Sequence, residues 1–565
     1  MKSAAAQAAA LLGESQANLL SGIELPPEVV AIPAADSMAA GEPLYSEAEA
    51  DEIQGDIIPG FLKDHQTFLF FRFGDDVTSV RQWLLWLAPK LSSMKEVLQF
   101  RTTFRAARLR LGIAEPDLSS TWLSVAFSYP GLQTLVGEEE AAAFGDQSFR
   151  QGLHARSTYL GDPSDPSLPG HSSHWAVGGP DNEADALVVI AADEEADLEG
   201  AVEEVLTAAT AAGLTPEFQQ RGDTLPGGLR GHEHFGFKDG VSQPAVRGRL
   251  SESGELLSPR YLSKFDPHFN ISAKPGQQLV WPGQFLLGEP RQDPQDPVSA
   301  AEATTTFPRW AKRGSYLVCR RLRQDFLAFW DFAEAVAERV GVPPVNIASM
   351  MVGRWPSGAP LLRSPAADDR DLAGDEFANN HFLFDDETHA SSLKRIPGYS
   401  GDNHARAMGD VFGRICPHAA HIRKVNPRDS ATDFGAPADT LLRLMLRRGI
   451  PYGPPIAGVN NPSPELVNAE RGLMFVAFMS SIEDQFEFVS RRWCNSEVQP
   501  NLGGPDPVIG QRERAGDRTR LVELAGPDGE RLVERIDKDF VVPAGGGYFF
   551  APPISAVSGR LSHSQ

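Results

Sequence analysis

A chain of 565 residues, 41% hydrophobic and 22% charged, has ordinary globular composition and enough length for more than one core or one large duplicated unit. Its 75 acidic residues outnumber 52 basic ones, a formal charge of −23, and a field of that sign opposes nucleic acid and anionic membranes as partners. Three cysteines, Cys319, Cys416 and Cys494, stand far apart and form no CxxC pair, which disfavours a disulfide scaffold and points to free thiols in a reducing compartment, the cytoplasm.

Residues 1–45 are rich in alanine and proline without a clear pattern and read as a loosely attached arm. The opening MKSAAAQAAALLGESQ has one lysine and a short alanine run broken by Gln7, weak material for a signal-peptide core. No stretch approaches the ~20 apolar residues that span a bilayer. Order is expected from near Glu52. QTFLFFRF (66–73) is a strand by its aromatic content, and SVRQWLLWLAPKL (79–91) follows with helical spacing. TWLSVAFSYPGLQTL (121–135) repeats the unit, as does ALVVIAADEEADLEGAVEEVLTAATAAG (186–213), a strand running into an amphipathic helix. The second half echoes the first: SYLVCRRL (315–322) leads into QDFLAFWDFAEAVAERV (324–340), and GLMFVAFM (472–479) into IEDQFEFVSRRW (482–493). Between the halves, residues 273–300 are too rich in Pro, Gly and Gln for regular structure and read as an irregular linker. Residues 161–182 and 500–510 read as surface loops. The pattern predicts an α+β protein of two similar halves, 46–272 and 301–565, each an antiparallel sheet with helices on one face.

Three segments carry chemistry. HEHFGFKDGVSQP (232–244) sets Asp239 between glycines, where the backbone can pass close to a bulky ligand; a bare G-x-x-D-G reads equally well as an Asx turn. RICPHAAHIRKVNPR (414–428) holds Cys416, His418 and His421 at a spacing that could bind zinc or copper. LLRLMLRRGIPYG (441–453) holds Arg447 and Arg448, by default a solvated pair. A fourth, DEFANNHFLFDDE (375–387), reads as a charged loop, with His381 and its acidic neighbours as a metal or substrate site in the alternative.

In this order the first three segments resemble the dye-decolorizing peroxidases, haem enzymes that use hydrogen peroxide. The family pattern is a GxxDG turn, then a histidine in an AAH-x-RK-x-x-PR context, then an arginine in an R-x-G-x-P-Y-G context. EIQGDIIPGF (52–61), GSYLVCRRLRQD (314–325) and GGGYFFAPP (545–553) extend the match over roughly residues 50–553. The resemblance implies a duplicated ferredoxin-like fold with two antiparallel sheets and peripheral helices. The C-terminal half would hold a haem b that is non-covalent, in keeping with the absence of CxxCH. It implies peroxide-driven oxidation of dyes, phenols or other aromatic reductants in one-electron steps through a ferryl intermediate.

By the same resemblance His421 is the iron ligand, with His418 left without a role. Asp239 is the distal acid–base and Arg447 its guanidinium neighbour; Arg448 points elsewhere. Leu473 and Phe475 are the apolar distal wall, and Arg320, or else Arg321, pairs with a haem propionate. Serine stands where family members carry the acidic partner of the iron-bound histidine, so Glu483 or Asp484 fills that role, or none does. Two other readings stay open: a haem-handling protein with little turnover, and a non-haem metalloenzyme on Cys416, His418 and His421 with His232 and His234. A homo-oligomer is left open.

Overall fold

The computed structural model describes residues 42–111, 118–250, 256–262, 266, 268–386, 399, 401–435, 438–459, 461–513, 516–526 and 529–563. All but the last four residues of the expected arm lie outside them, and within those four Tyr45 is buried.

Four strands form in the first half, the first three rich in aromatic or β-branched residues and the fourth largely polar: β1 (His65–Arg72), β2 (Thr121–Phe127), β3 (Ala186–Ala192) and β4 (Thr215–Asp223). The second half supplies β5 (Ser315–Gln324), β6 (Leu446–Arg447), β7 (Ile450–Tyr452) and β8 (Gly472–Met479). A hairpin, β9 (Arg520–Ala525) and β10 (Arg531–Ile536), then precedes β11 (Val541–Ala551). The main sheet runs β6–β8–β5–β11–β2–β3–β1–β4, with β7 also on β8. Every ladder in it is antiparallel. Within each half the order is the same: second strand, third, first, fourth. That is the ferredoxin-like plan written twice.

The two sheets expected from the sequence are halves of one continuous sheet. They join where β11 meets β2, Phe550 opposite Phe127. At the other end β4 curls back against β7: a Cβ on Gly222 would sit 2.5 Å from Ile450 Cγ2 and 3.1 Å from the Pro451 carbonyl, so only glycine permits the approach. Side chains alternate across the strands. One face carries Phe70, Leu187, Leu317, Met474 and Phe549 into a core shared by both halves, and Phe70 meets Phe549 at 6.2 Å between ring centres. The other face carries Phe71, Val188, Val318 and Tyr548 against the helices.

Of the first half's helices, α1 (Glu47–Glu52) and α3 (Met94–Leu111) add Ala50, Met94 and Leu98 to the shared core, while α2 (Val77–Leu87) and α4 (Glu195–Ala211) cover the other face. The second half adds α5 (Phe326–Val340), α6 (Pro344–Val352) and α7 (His421–Val425). The helix expected over 482–493 is wound more widely, as π-helical turns over Ile482–Glu487 and Val489–Cys494. α3 was not expected; its arginines and threonines obscure the apolar stripe.

Residues 273–300 hold two-residue strands at Leu279–Val280 and Arg291–Gln292 and a 3-10 turn at Pro282–Gln284, and the middle of the stretch is packed inside. Val280, Trp281, Phe285 and Leu286 are buried, and Gln284 Nε2 donates to the Leu442 carbonyl at 3.0 Å. Among the described residues no helix is long and apolar enough to cross a membrane.

Candidate active site

On the helix-bearing face of the second half, the apolar alternation of β5 gives way after Val318 to Arg320, Leu322 and Gln324. Here the sheet wall opens into a cavity of about 770 Å³. Asp239, Arg447, His421, Arg320, Leu473 and Phe475 all line it. Six residues drawn from five separate segments of the sequence therefore meet in one place.

His421 opens α7 and is held from behind. Its Nδ1 lies 2.7 Å from Asp506 Oδ2, a carboxylate with no exposed surface. Asp506 Oδ1 accepts the backbone N–H groups of Val508 at 2.8 Å and Ile509 at 3.0 Å, so the buried charge is met by donors on both oxygens. With Nδ1–H committed to Asp506, the Nε2 lone pair is the one free to bind a metal in the cavity. Burial works against protonating His421, but the Asp506 charge outweighs it and raises the ring's pKa above its ordinary value; Asp239 adds to this and Arg447 opposes it. α7 itself is anchored by its buried cations. Arg423 donates to the Cys416 carbonyl at 3.0 Å, and Lys424 to the carbonyls of Ser496 at 2.9 Å and Gln499 at 2.6 Å.

Asp506 corrects two expectations. The acidic partner is neither Glu483 nor Asp484: Glu483 N–H donates to Asp146 at 3.3 Å, and the Asp484 carbonyl accepts from Arg443 at 2.8 Å. The partner comes instead from 500–510, read as a surface loop, whose Asp-Pro-Val-Ile turn folds its carboxylate inward. Likewise the loop 161–182 contributes buried Asp162, which pairs with Arg320 Nη2 at 2.6 Å. Strand alternation settles the arginine pair. Arg320 faces the cavity, while Arg321 points to the opposite face and makes a bidentate contact with Glu470 at 2.7 and 2.8 Å.

The GxxDG turn lines the same cavity. Gly236 and Gly240 adopt φ of 94° and 70°, conformations that favour glycine, and the turn presents Asp239 to the cavity. The Asp239 N–H donates to the Gly231 carbonyl at 2.9 Å, and its Oδ1 accepts the Gly240 N–H at 2.6 Å. The Arg447 guanidinium donates to the Ser242 carbonyl. Its backbone exchanges two hydrogen bonds with the Gln243 amide, at 3.3 and 3.2 Å. Burial lowers the Arg447 pKa, and the Asp239 charge opposes that. Arg448, expected to point elsewhere, also lines the cavity, but its guanidinium is spent on the carbonyls of Asp56 at 2.9 Å and Ile57 at 2.8 Å.

Glu233, overlooked in the sequence, also lines the cavity; burial, with help from Asp239, raises it to about 7 against three hydrogen-bond donors. Phe475 lies 5.9 Å from Phe486 of the wide helical turn, ring to ring, which completes the apolar wall.

The rival metal sites do not assemble. Cys416 is buried away from the cavity. Both ring nitrogens of His418 face carbonyl oxygens, Leu502 at 2.8 Å and Val411 at 3.0 Å. His234 is buried against the Tyr452 carbonyl at 2.8 Å, and His232 Nδ1 lies 3.1 Å from the Arg230 carbonyl. In 375–386 Asp375 accepts from Tyr399 at 2.6 Å; residue 387 lies outside the described residues. Among the described residues no group of three or more His, Cys, Asp or Glu side chains could hold a metal ion.

A cavity between a carboxylate-backed histidine and an Asp–Arg pair suits a peroxidase, and comparison with known proteins bears on that directly. Residues 52–221 match the family model described as the DyP dimeric alpha+beta barrel domain. The chain is 31% identical over 558 residues to the dye-decolorizing peroxidase msp1 of Mycetinis scorodonius, covering 95% of this chain and 92% of the relative. The chain belongs to the dye-decolorizing peroxidase family. It is a haem peroxidase. The multifunctional dye peroxidase DyP2 of an Amycolatopsis strain is 27% identical, covering 89% of this chain and 94% of the relative. Among solved structures, an ancestral D-type dye-decolorizing peroxidase superposes with a TM-score of 0.70 at 30% identity, over 91% of this chain and 99% of the other. A variant of the Pleurotus ostreatus dye-decolorizing peroxidase gives 0.71 at 28% identity with the same coverage.

Proposed function

We propose that this protein uses hydrogen peroxide to oxidise dyes, phenols or other aromatic reductants in one-electron steps at a non-covalent haem b held in the cavity described above. The observation that carries this reading is the meeting of His421, backed by Asp506, with Asp239 and Arg447 around one cofactor-sized space. Its volume, about 770 Å³, falls in the range of ligand and cofactor sites. The lining suits a flat apolar macrocycle with an iron centre: Leu473, Phe475, Phe486, Val489, Val508 and Ile509 make walls, and one imidazole nitrogen is free to ligate.

Bound haem would supply the iron at which peroxide is activated and the oxidising equivalents stored. The chain's own part is as follows. His421 would ligate the iron through Nε2, with Asp506 fixing the ring and strengthening it as a donor. Asp239 would take the proton from the incoming peroxide oxygen and return it to the departing one. Arg447 would stabilise the negative charge that develops between those steps. Leu473 and Phe475 would exclude water from the reacting face. Arg320 would contribute to a propionate contact, although Asp162 already neutralises it. A related dye-decolorizing peroxidase has been solved in complex with 2,6-dimethoxyphenol, and we extend that substrate class to this chain. Three buried, free cysteines support a reducing compartment, and hence the cytoplasm, as its location.

A visible spectrum of the purified protein followed by peroxide addition tests the reading. A histidine-ligated Soret band that changes on peroxide addition and returns on adding a phenol is expected; haem-loaded protein inert to peroxide would leave only haem handling.

Two further results are expected. Arg447→Leu should keep its haem and slow the peroxide step by about 10²–10³-fold, the loss typical of a preorganised charge-stabilising donor. Arg448→Leu should react at nearly the wild-type rate but melt earlier, because its guanidinium ties down the carbonyls of residues 56 and 57; stopped-flow traces and melting curves on the pair separate the two roles. Asp506→Asn should weaken haem affinity by about 10–100-fold, as outer partners of metal-bound histidines do. Unchanged affinity in a haem titration would show that Asp506 serves the loop alone.

A further inference from the structure

Asp239 sits on a turn, and turns need to be held if a carboxylate is to act at a fixed point. The Glu233 side chain spans this one. Its Oε1 accepts the Phe237 N–H and its Oε2 the Phe235 N–H, each at 2.9 Å. Gln324 Nε2, at the end of β5, donates to the same Oε2. The backbone closes the same loop, with Glu233 N–H donating to the Phe237 carbonyl at 3.0 Å and Gly236 N–H to the Glu233 carbonyl at 3.0 Å. Outside the loop, Phe235 stacks on Phe329 of α5 at 4.3 Å between ring centres, and Trp330 Nε1 donates to the Phe235 carbonyl at 3.2 Å. Glu233 thus ties the chain two residues before Asp239 to the strand that forms the cavity wall.

We propose that Glu233 is the positioning residue of the peroxide step, holding through the Phe235 and Phe237 N–H groups and Gln324 the turn that aims Asp239 into the cavity. This rests on the reading of Asp239 as the acid–base. Glutamine at 233 keeps the size but offers one acceptor and one donor, so one backbone N–H meets another donor and the turn shifts. A displacement of about an ångström in a catalytic group costs up to about 100-fold in rate.

The test is a double-mutant cycle on the haem-loaded enzyme, reading the stopped-flow rate of the peroxide step and haem content for wild type, Glu233→Gln, Asp239→Asn and the double variant. Glu233→Gln should keep its haem, lose about 10- to 100-fold in rate, and add no further loss in the Asp239→Asn background. A wild-type rate in Glu233→Gln, or losses that multiply in the double variant, overturns the proposal. Should Glu233→Gln fail to accumulate as folded protein, Gln324→Leu enters the same cycle, since it removes only the side-chain donor that steadies Glu233. Its loss should likewise vanish in the Asp239→Asn background; a loss that persists there overturns the proposal. Asp239→Asn reacting at the wild-type rate is a separate outcome, which brings down the acid–base reading itself.

Discussion

Replacing Asp239 by asparagine should leave haem in place and slow the reaction with peroxide by about 10²–10⁴-fold, the range of general acid–base catalysis. Asparagine keeps the shape of the side chain and can still accept the Gly240 N–H that now lies 2.6 Å from Oδ1, so the turn is not expected to collapse. What it loses is the ability to carry a proton from one peroxide oxygen to the other. Arg447 remains, and its charge still favours the ionised hydroperoxide, which is why a residual rate is expected and not complete loss. Rapid-mixing absorbance at the Soret band measures this step apart from dye turnover. An asparagine variant as fast as the wild type would assign the proton to a water on Arg447 and leave the GxxDG turn a packing element.

His421→Ala should lose most of its haem. The cavity walls would still offer an apolar slot, but two neighbouring histidines are already engaged: His418 is held by carbonyls on both sides and His234 is buried against Tyr452. The variant also strands Asp506, which keeps two backbone donors but loses the imidazole; a buried carboxylate short of a partner costs roughly 1–3 kcal/mol or more. A lowered melting temperature should therefore accompany the loss of the Soret band. Full haem occupancy with an unchanged band would remove His421 from the ligand role.

Much of this was legible in the sequence, for a physical reason. The duplicated strand–helix alternation is a local pattern, and so the plan of both halves could be read from it. Asp239, His421 and Arg447 sit in short segments whose glycines, prolines and neighbouring charges are unusual enough to carry the family resemblance. Leu473 and Phe475 came with that same resemblance, since strand period alone reads them as core. Asp506 could not be read the same way. Its signal is an aspartate that caps its own backbone in a loop of glycines and prolines, a pattern that surface turns share, and only the fold brings it 85 residues back to His421. Asp162 escaped for the same reason, and Glu233 because its role is to hold a turn and not to react. The loops were mistaken for surface because polarity and Pro–Gly content report the absence of regular structure, not exposure.

The closed course of the sheet bears on how such a molecule could arise. Each half turns its fourth strand toward the second strand of the other, once as the β11–β2 ladder and once as the approach of β4 to β7. A half released on its own would carry two unsatisfied borders, and unpaired strand edges recruit partners. The partner that fits both borders at once is another copy of the same half, related by a two-fold rotation. The chain is in that sense a dimer written as one polypeptide. Two halves in one polypeptide need not carry the same residues: here one bears the turn with Asp239, and the other Arg447, His421 and the carboxylate behind that histidine.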